Sequence, residues 1–201
     1  MDQQIPQYHH TPGQSVRPPR RFAFLKLALA WAAAIGIAIT LQAFVFQSYQ
    51  VFGQSMEPTL DDGDYLIISK LGPTFSSLRG DSYAPERGEI VVVEPSDGPR
   101  LIKRVIGLPG EEVQVRGGSL VVYNDAHTQG FEPYNDIDLP ESDVAGNIET
   151  DIPDNHIFVV GDNRDSGGSS DSRNQLGTIP TDNVVGSLVL RLWPLDEAQT
   201  F

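Results

Sequence analysis

From Leu27 to Phe46 the chain carries no charge, and only Thr40 and Gln42 are strongly polar. The run is apolar on every side of a helix, which suits lipid better than one face of a soluble core. Twenty helical residues rising ~1.5 Å each span roughly 30 Å, the thickness of a bilayer's hydrocarbon core. A transmembrane helix is therefore expected over residues 22–46, preceded by a polar, proline-rich tail over 1–21 with too little apolar content to fold. A buried core helix and a cleaved secretory signal peptide are the competing readings. The first is unusual for an uninterrupted apolar run of this length. Against the second, the run exceeds an h-region of about 7–15 residues, and Gln42-Ala43-Phe44-Val45-Phe46 is a poor small-residue cleavage site.

Beyond residue 46 the period changes. Short runs rich in Val and Ile follow at Ser48–Phe52, Tyr65–Lys70, Glu89–Glu94, Leu101–Ile106, Glu112–Val115, Ser119–Tyr123, His156–Val160 and Val184–Trp193. Turn formers punctuate them, as at Asp61-Asp62-Gly63, Pro109-Gly110 and Gly117-Gly118. No other stretch shows a long helical period. Residues 47–201 are thus expected to form a mainly β domain, antiparallel and of barrel or sandwich type. Residues 124–153 interrupt the pattern, being rich in Asp, Glu, Asn and Pro, and are expected as an insertion on its surface.

Charge gives the chain a direction. Residues 1–46 carry Arg17, Arg20, Arg21 and Lys26 against Asp2 alone, a net +3, whereas the remaining 10 basic and 26 acidic residues leave −16. Basic residues before the apolar run, with no charge after it until Glu57, place the tail in the cytoplasm and the β domain outside. So acidic a body repels nucleic-acid phosphates, so no nucleic-acid partner is expected. Cysteine is absent, and His9, His10, His127 and His156 lack metal-motif spacing, so neither a disulfide framework nor a metal centre is expected.

Candidate chemistry begins at Gly53-Gln54-Ser55-Met56-Glu57-Pro58. A serine beside Gly and Pro is commonly a turn residue, and its hydroxyl is a weak nucleophile until a base takes the proton. No histidine sits in a matching motif, and the G-x-S-x-G elbow and the S-x-x-K signature are absent. Of the three lysines, Lys26 lies at the membrane boundary and Lys70 ends an amphipathic run as a solvated charge. Lys103 is embedded in Leu101-Ile102-Lys103-Arg104-Val105-Ile106. Strand alternation groups it with Leu101 and Val105 and sends Arg104 to the other face with Ile102 and Ile106. Apolar surroundings lower a lysine's pKa, and a fall from ~10.4 to roughly 7–8 makes a usable general base. The competing reading has Lys103 snorkelling to water at a strand edge.

A third cluster, Gly161-Asp162-Asn163-Arg164-Asp165 through Ser169 to Asp171-Ser172-Arg173, follows a buried-looking strand. Asp162, Arg164, Asp171 and Arg173 are expected to form an ion-paired loop that stiffens the fold. A serine of this loop could also hold the Lys103 amine in one geometry.

Together these segments resemble the successive boxes of the type I signal peptidases. The matching residues are Gln54-Ser55-Met56-Glu57-Pro58-Thr59-Leu60, Gly63-Asp64-Tyr65, Lys103-Arg104-Val105-Ile106-Gly107-Leu108-Pro109-Gly110-Glu111 and the Gly161–Arg173 loop, in the family's order after an N-terminal anchor. The resemblance implies a Ser/Lys protease that removes signal peptides from exported preproteins after Ala-x-Ala-like sites. It also implies a largely antiparallel β fold outside the cytoplasmic membrane, and no cofactor. By position, Ser55 is the nucleophile and Lys103 the base, with Arg104 and the charged loop residues as support. The Ser55 N–H would donate to the oxyanion, in the region Gly53-Gln54-Ser55. Two departures stand out. Some members carry a hydroxyl two residues before the nucleophile, where this chain has Gly53. The loop before Asp171 is also two residues longer, so counting back from Asp171 assigns the lysine-orienting role to Ser169, while counting forward from Asp165 lands near Ser166 or Gly167.

Two other readings use the same features. A self-cleaving Ser/Lys repressor would cut a bond such as Ala145-Gly146, but would need a DNA-binding N-terminus in place of an apolar run. A membrane-tethered β domain that only binds partners would have no need of both Ser55 and Lys103. The chain is expected to act as a monomer, with preproteins and the lipid bilayer as partners.

Overall fold

The computed structural model describes residues 20–134, 144–164, 169–174 and 176–201. Residues 1–19 of the expected tail, 135–143 of the expected insertion, and Asp165, Ser166 and Gly167 of the charged loop lie outside the described residues. Contacts divide the chain after Ile39. Helix α1 runs Arg20–Phe44, and its stretch Ala23–Phe44 is long and apolar enough to cross a membrane, with none of it buried. It ends two residues short of the expected boundary because Phe46 already pairs in a sheet.

The unit from Thr40 onward is mainly β, and its strands pair antiparallel throughout. The strands are β1 (Phe46–Gln50), β2 (Tyr65–Ser69), β3 (Ile90–Val93), β4 (Leu101–Gly107), β5 (Glu112–Arg116), β6 (Ser119–Asn124), β7 (His127–Phe131), β8 (Ile148–Asp151), β9 (His156–Val160), β10 (Ile179–Pro180), β11 (Val184–Trp193) and β12 (Gln199–Thr200). A curled sheet takes the order β1-β2-β11-β3-β4-β9-β10, with β12 on β11, and a second sheet takes β7-β6-β5-β8. The barrel-like antiparallel architecture matches the expectation from the period-2 runs. In β2, alternation buries Leu66 and Ile68 and leaves Tyr65 outside; in β3, all of Ile90-Val91-Val92-Val93 is buried because both faces are covered.

Three apolar clusters follow. One gathers Val51, Met56, Leu60, Leu66, Ile68, Ile90 and Val92 under the Ser55 segment. A second joins Val91, Val93 and Val105 to β9 and β11, and a third fills the space between the sheets around Ile106, Val113 and Phe158. The segment 124–153 contributes more than a surface insertion. It supplies the outer strands β7 and β8, and Val144 and Ile152 are buried in the third cluster. A short helix, α2 (Leu71–Arg79), also stands outside the sequence expectation.

Candidate active site

Two strand ends and one loop meet at Ser55. Past β1 the chain stays paired, with Val51 N–H on Asp64 O and Gly63 N–H on Val51 O, and then turns through Gly53. The Gly53 N–H donates to Asp62 Oδ1 at 2.7 Å, and its φ of +85° is one that residues with a Cβ rarely adopt. On the other side, Asn163 clamps the turn: its N–H donates to Ser55 O (3.1 Å) and its Nδ2 to Gln54 O (3.0 Å). Arg191, paired with Asp64, donates to Thr59 O behind the turn. Three separate elements thus hold one serine.

Lys103 comes from β4, opposite Val91 of β3. It is 2 % exposed, and its Nζ lies 2.7 Å from Ser55 Oγ and 2.9 Å from Ile102 O. Burial pushes its pKa down from 10.5 to about 8, against the opposing pull of Asp171 and Asp162. At neutral pH a usable fraction of the amine is therefore unprotonated, which a solvated lysine could not offer. The snorkelling reading of Lys103 does not fit so buried an amine.

Beneath the pair lie two buried ion pairs. Arg104 grips Asp162 with two hydrogen bonds, Nε to Oδ1 at 2.8 Å and Nη2 to Oδ2 at 2.6 Å, and also donates to Gly88 O. Arg173 holds Asp171 in the same two-pronged way, and Asp171 Oδ2 also accepts from the Gly161 N–H. Burial alone would raise the Asp171 pKa; the Arg173 hydrogen bond and charge, with the Gly161 N–H, outweigh it and lower it. Breaking such a buried pair by removing one partner leaves an uncompensated charge, so these residues stiffen the floor of the site.

Among the described residues Arg164 makes no ion pair, unlike the expected role. Both aspartates are already engaged by Arg104 and Arg173, and among the described residues Arg164 Nε and Nη2 have no hydrogen-bond partner. Its guanidinium instead lies over the Tyr134 ring, 3.3 Å from the centroid. Ser169 is buried beside the site, 6 % exposed; among the described residues its Oγ has no hydrogen-bond partner of regular geometry, although it lies close enough to Asp171 to help hold that carboxyl's pKa down. Ser166 lies outside the described residues.

The Ser55 N–H has no acceptor among the described residues, which leaves it free for a developing oxyanion. Gly53 cannot serve in the same way, since Asp62 occupies its N–H. Placing a hydroxyl at this position is expected to fail. There is open space for the added Cβ, yet the left-handed backbone would cost about 1–3 kcal/mol. Gly53→Ser should therefore cleave no faster than the parent and melt lower, as steady-state kinetics and thermal unfolding would record.

Sequence reading passed over two members of this site. Asn163 was only one letter of a motif, and nothing local marks it as the clamp on Gln54 and Ser55. Gly161 gave a weak signal, as a glycine directly after an apolar strand. A Cβ there would stand 2.3 Å from Ser55 O and 2.4 Å from Ser169 Oγ.

A narrow cleft of about 90 Å³ opens beside Ser55 and Lys103. One wall is Tyr49 through Phe52 with Met56, the other Arg100 through Ile102. Among the described residues both walls have edges free of ladder partners: β1 pairs only with β2, and β9 joins β4 only from Arg104 onward. Such facing edges can take an extended peptide as an added strand.

Residues 24–193 match the family described as signal peptidase, peptidase S26. The chain is 35 % identical over 185 residues to a probable signal peptidase I-2 of Synechocystis sp., covering 89 % of this chain and 77 % of that protein. It is 32 % identical over 190 residues to signal peptidase IB of Staphylococcus aureus, covering 86 % and 93 %. A crystal structure of a signal peptidase I from Enterococcus faecalis is similar over 52 % of this chain and 97 % of that one, at 28 % identity and a TM-score of 0.38. With a buried lysine against a serine beside a narrow cleft, and a family match spanning nearly the whole described chain, this protein belongs to the signal peptidase family, peptidase S26.

Proposed function

We propose that the chain is a membrane-anchored serine endopeptidase that removes signal peptides from exported preproteins after Ala-x-Ala-like sites. Ser55 is the nucleophile and Lys103 its general base. The observation that carries this reading is the 2.7 Å contact between Lys103 Nζ and Ser55 Oγ, made by an amine whose pKa burial lowers to about 8. The preprotein lies as an extended strand between Tyr49–Phe52 and Arg100–Ile102, which brings its scissile carbonyl to Ser55. Neutral Lys103 takes the hydroxyl proton as Ser55 Oγ bonds to the carbonyl carbon, and the oxyanion meets the Ser55 N–H. The new ammonium then protonates the departing amine. Water, deprotonated by the same lysine, releases the acyl group and restores the serine. Small residues suit so small a cleft. Ser169, buried beside the pair, is the residue proposed to steady the amine as it changes charge.

Helix α1 is the proposed single-pass anchor in the bacterial cytoplasmic membrane, with the N-terminus cytoplasmic and the β unit, acting as a monomer, outside. Only eight residues separate Phe46 from Ser55, so at ~3.3 Å per residue the nucleophile stays within about 30 Å of the end of the apolar run. That reach suits a substrate whose signal peptide is itself in the bilayer. Self-cleavage at Ala145-Gly146 is disfavoured, because Ala145 is tied on both sides of its residue, its N–H to Arg164 O and its carbonyl to Arg173. Incubation with a preprotein in detergent, with the product's new N-terminus read, tests the reading. A cut after a small-x-small sequence is expected from the parent and no product from Ser55→Ala; binding without cleavage by the parent would contradict it.

A further inference from the structure

Helix α2 is built inside out. Leu71, Phe75 and Leu78, spaced i, i+4 and i+7, share one face, and that face is open to solvent: the three are 39 %, 55 % and 78 % exposed. The side turned to the body is made of small or polar residues. Gly72 lies flush on the Tyr83 ring, and Pro73, Ser76 and Ser77 line a cavity of about 360 Å³ with Tyr83, Thr181 and Asp182. No residue of the helix is buried. A nine-residue helix containing Gly and Pro is marginal alone, so its apolar face calls for a partner outside the protein.

Its tethers say which partner. The Lys70 N–H donates to Val45 O, Lys70 Nζ to Ala43 O at 2.8 Å, and Thr74 Oγ1 to Phe44 O at 3.2 Å. These acceptors are the last residues of the apolar segment, and they belong to the same unit as the sheet. At ~1.5 Å per residue, α2 reaches no further than about 13 Å from that point, so its whole length stays near the end of the apolar segment. Lys70 and Arg79 bracket the helix with no acidic residue between them, and suit anionic headgroups.

Resting on the anchored reading above, we propose that α2 lies in the outer membrane interface with Leu71, Phe75 and Leu78 among the acyl chains. It is a second, peripheral contact that limits rotation of the β unit about its anchor and keeps the cleft at the level of membrane-held substrate.

The chain contains no cysteine, so Leu78→Cys accepts a single environment-sensitive fluorophore. The full-length protein is reconstituted in phosphatidylcholine–phosphatidylglycerol vesicles with nitroxide lipids, beside Leu29→Cys within α1 and Asp125→Cys in the β6–β7 turn. Blue-shifted emission and quenching by shallow nitroxides are expected at position 78, with quenching by deep nitroxides at 29 and none at 125. Position 78 behaving like 125 while 29 is quenched overturns the proposal and leaves the anchor intact; no quenching at 29 overturns the anchor itself. A blue shift at 78 that persists without lipid and grows with protein concentration assigns the face to a second copy, and also overturns it. In parallel, the Phe75→Ser, Leu78→Ser double variant should raise KM for a vesicle-embedded preprotein by roughly tenfold and leave cleavage of a short soluble peptide unchanged. An equal loss on both substrates would overturn the proposal.

Discussion

Replacing Lys103 by methionine should abolish preprotein cleavage and at the same time make the protein more stable at neutral pH. The two halves of this outcome share one cause. Lys103 is 2 % exposed, and burial lowers its pKa from 10.5 to about 8. Between those values the unfolded chain binds a proton that the folded chain does not, so stability rises with pH across that interval. Below about pH 8 both states are protonated and the folded state carries the full cost of a buried ammonium. A drop of this size corresponds to about 3 kcal/mol. Methionine fills a similar volume without charge. It also leaves Ser55 Oγ and Ile102 O without the Lys103 donor, which returns about 1–2 kcal/mol. A net gain of about 1–2 kcal/mol near pH 7 remains, a rise of a few degrees in Tm for a domain of this size. Near pH 10.5, where the folded Lys103 is neutral, the lost hydrogen bonds should dominate and the gain should turn into a loss of about 1 kcal/mol. Thermal unfolding at both pH values, beside a cleavage assay, checks both halves. Residual cleavage in the methionine variant would remove Lys103 from the mechanism, and a neutral-pH loss of stability would mean that its burial costs less than the lowered pKa implies.

Gly161→Ala should cost about a hundredfold in kcat although the residue bears no functional group. Its φ is not in the left-handed region, so the loss would not come from backbone strain. The added methyl would meet Ser55 O at 2.3 Å and the Ser169 side chain at 2.4 Å, and a backbone oxygen cannot swing aside as a flexible side chain can. Ser55 must therefore shift, pulling its carbonyl off the Asn163 N–H and its hydroxyl away from Lys103. Overpacking of this kind also destabilises by about 1–3 kcal/mol. Kinetics with excess preprotein separate the two effects: kcat should fall while the protein remains folded at the assay temperature. Unchanged kcat would show that the Ser55 segment tolerates displacement.

What the sequence revealed, and what it hid, follows physical lines. Strands β3 and β4 were legible because residues buried on both faces write continuous apolar runs, and α1 because lipid demands an apolar surface all round. Helix α2 was not legible: Gly72 and Pro73 weaken its propensity, and two turns of period with the apolar side outward do not read as a core helix. Strands β7 and β8, His-Thr-Gln-Gly-Phe and Ile-Glu-Thr-Asp, lie at the edges of the second sheet with much of their surface in water, so composition made them look like insertion.

At the site, sequence pattern singled out an unusual lysine, and the resemblance paired it with Ser55. Neither could supply the 2.7 Å between side chains 48 positions apart, which depends on how the curled sheet returns. The Arg164–Tyr134 stack was equally beyond reach, since it links residues thirty positions apart through a ring contact rather than a charge pattern. Asn163 was hidden for a related reason. Its work is done on backbone atoms of Gln54 and Ser55, and backbone partners leave no mark in a partner's sequence.

The pairing of a neutral lysine with Ser55 is tested most directly by the dependence of kcat on pH for cleavage of a preprotein by the full-length protein, from about pH 6 to about pH 10. The rate should climb with a single proton dependence on the acid side and level off around a midpoint of about 8, where Lys103 loses its proton. A profile flat across this range, or one still climbing at the ordinary lysine value of 10.5, would contradict the assignment of Lys103 as the base.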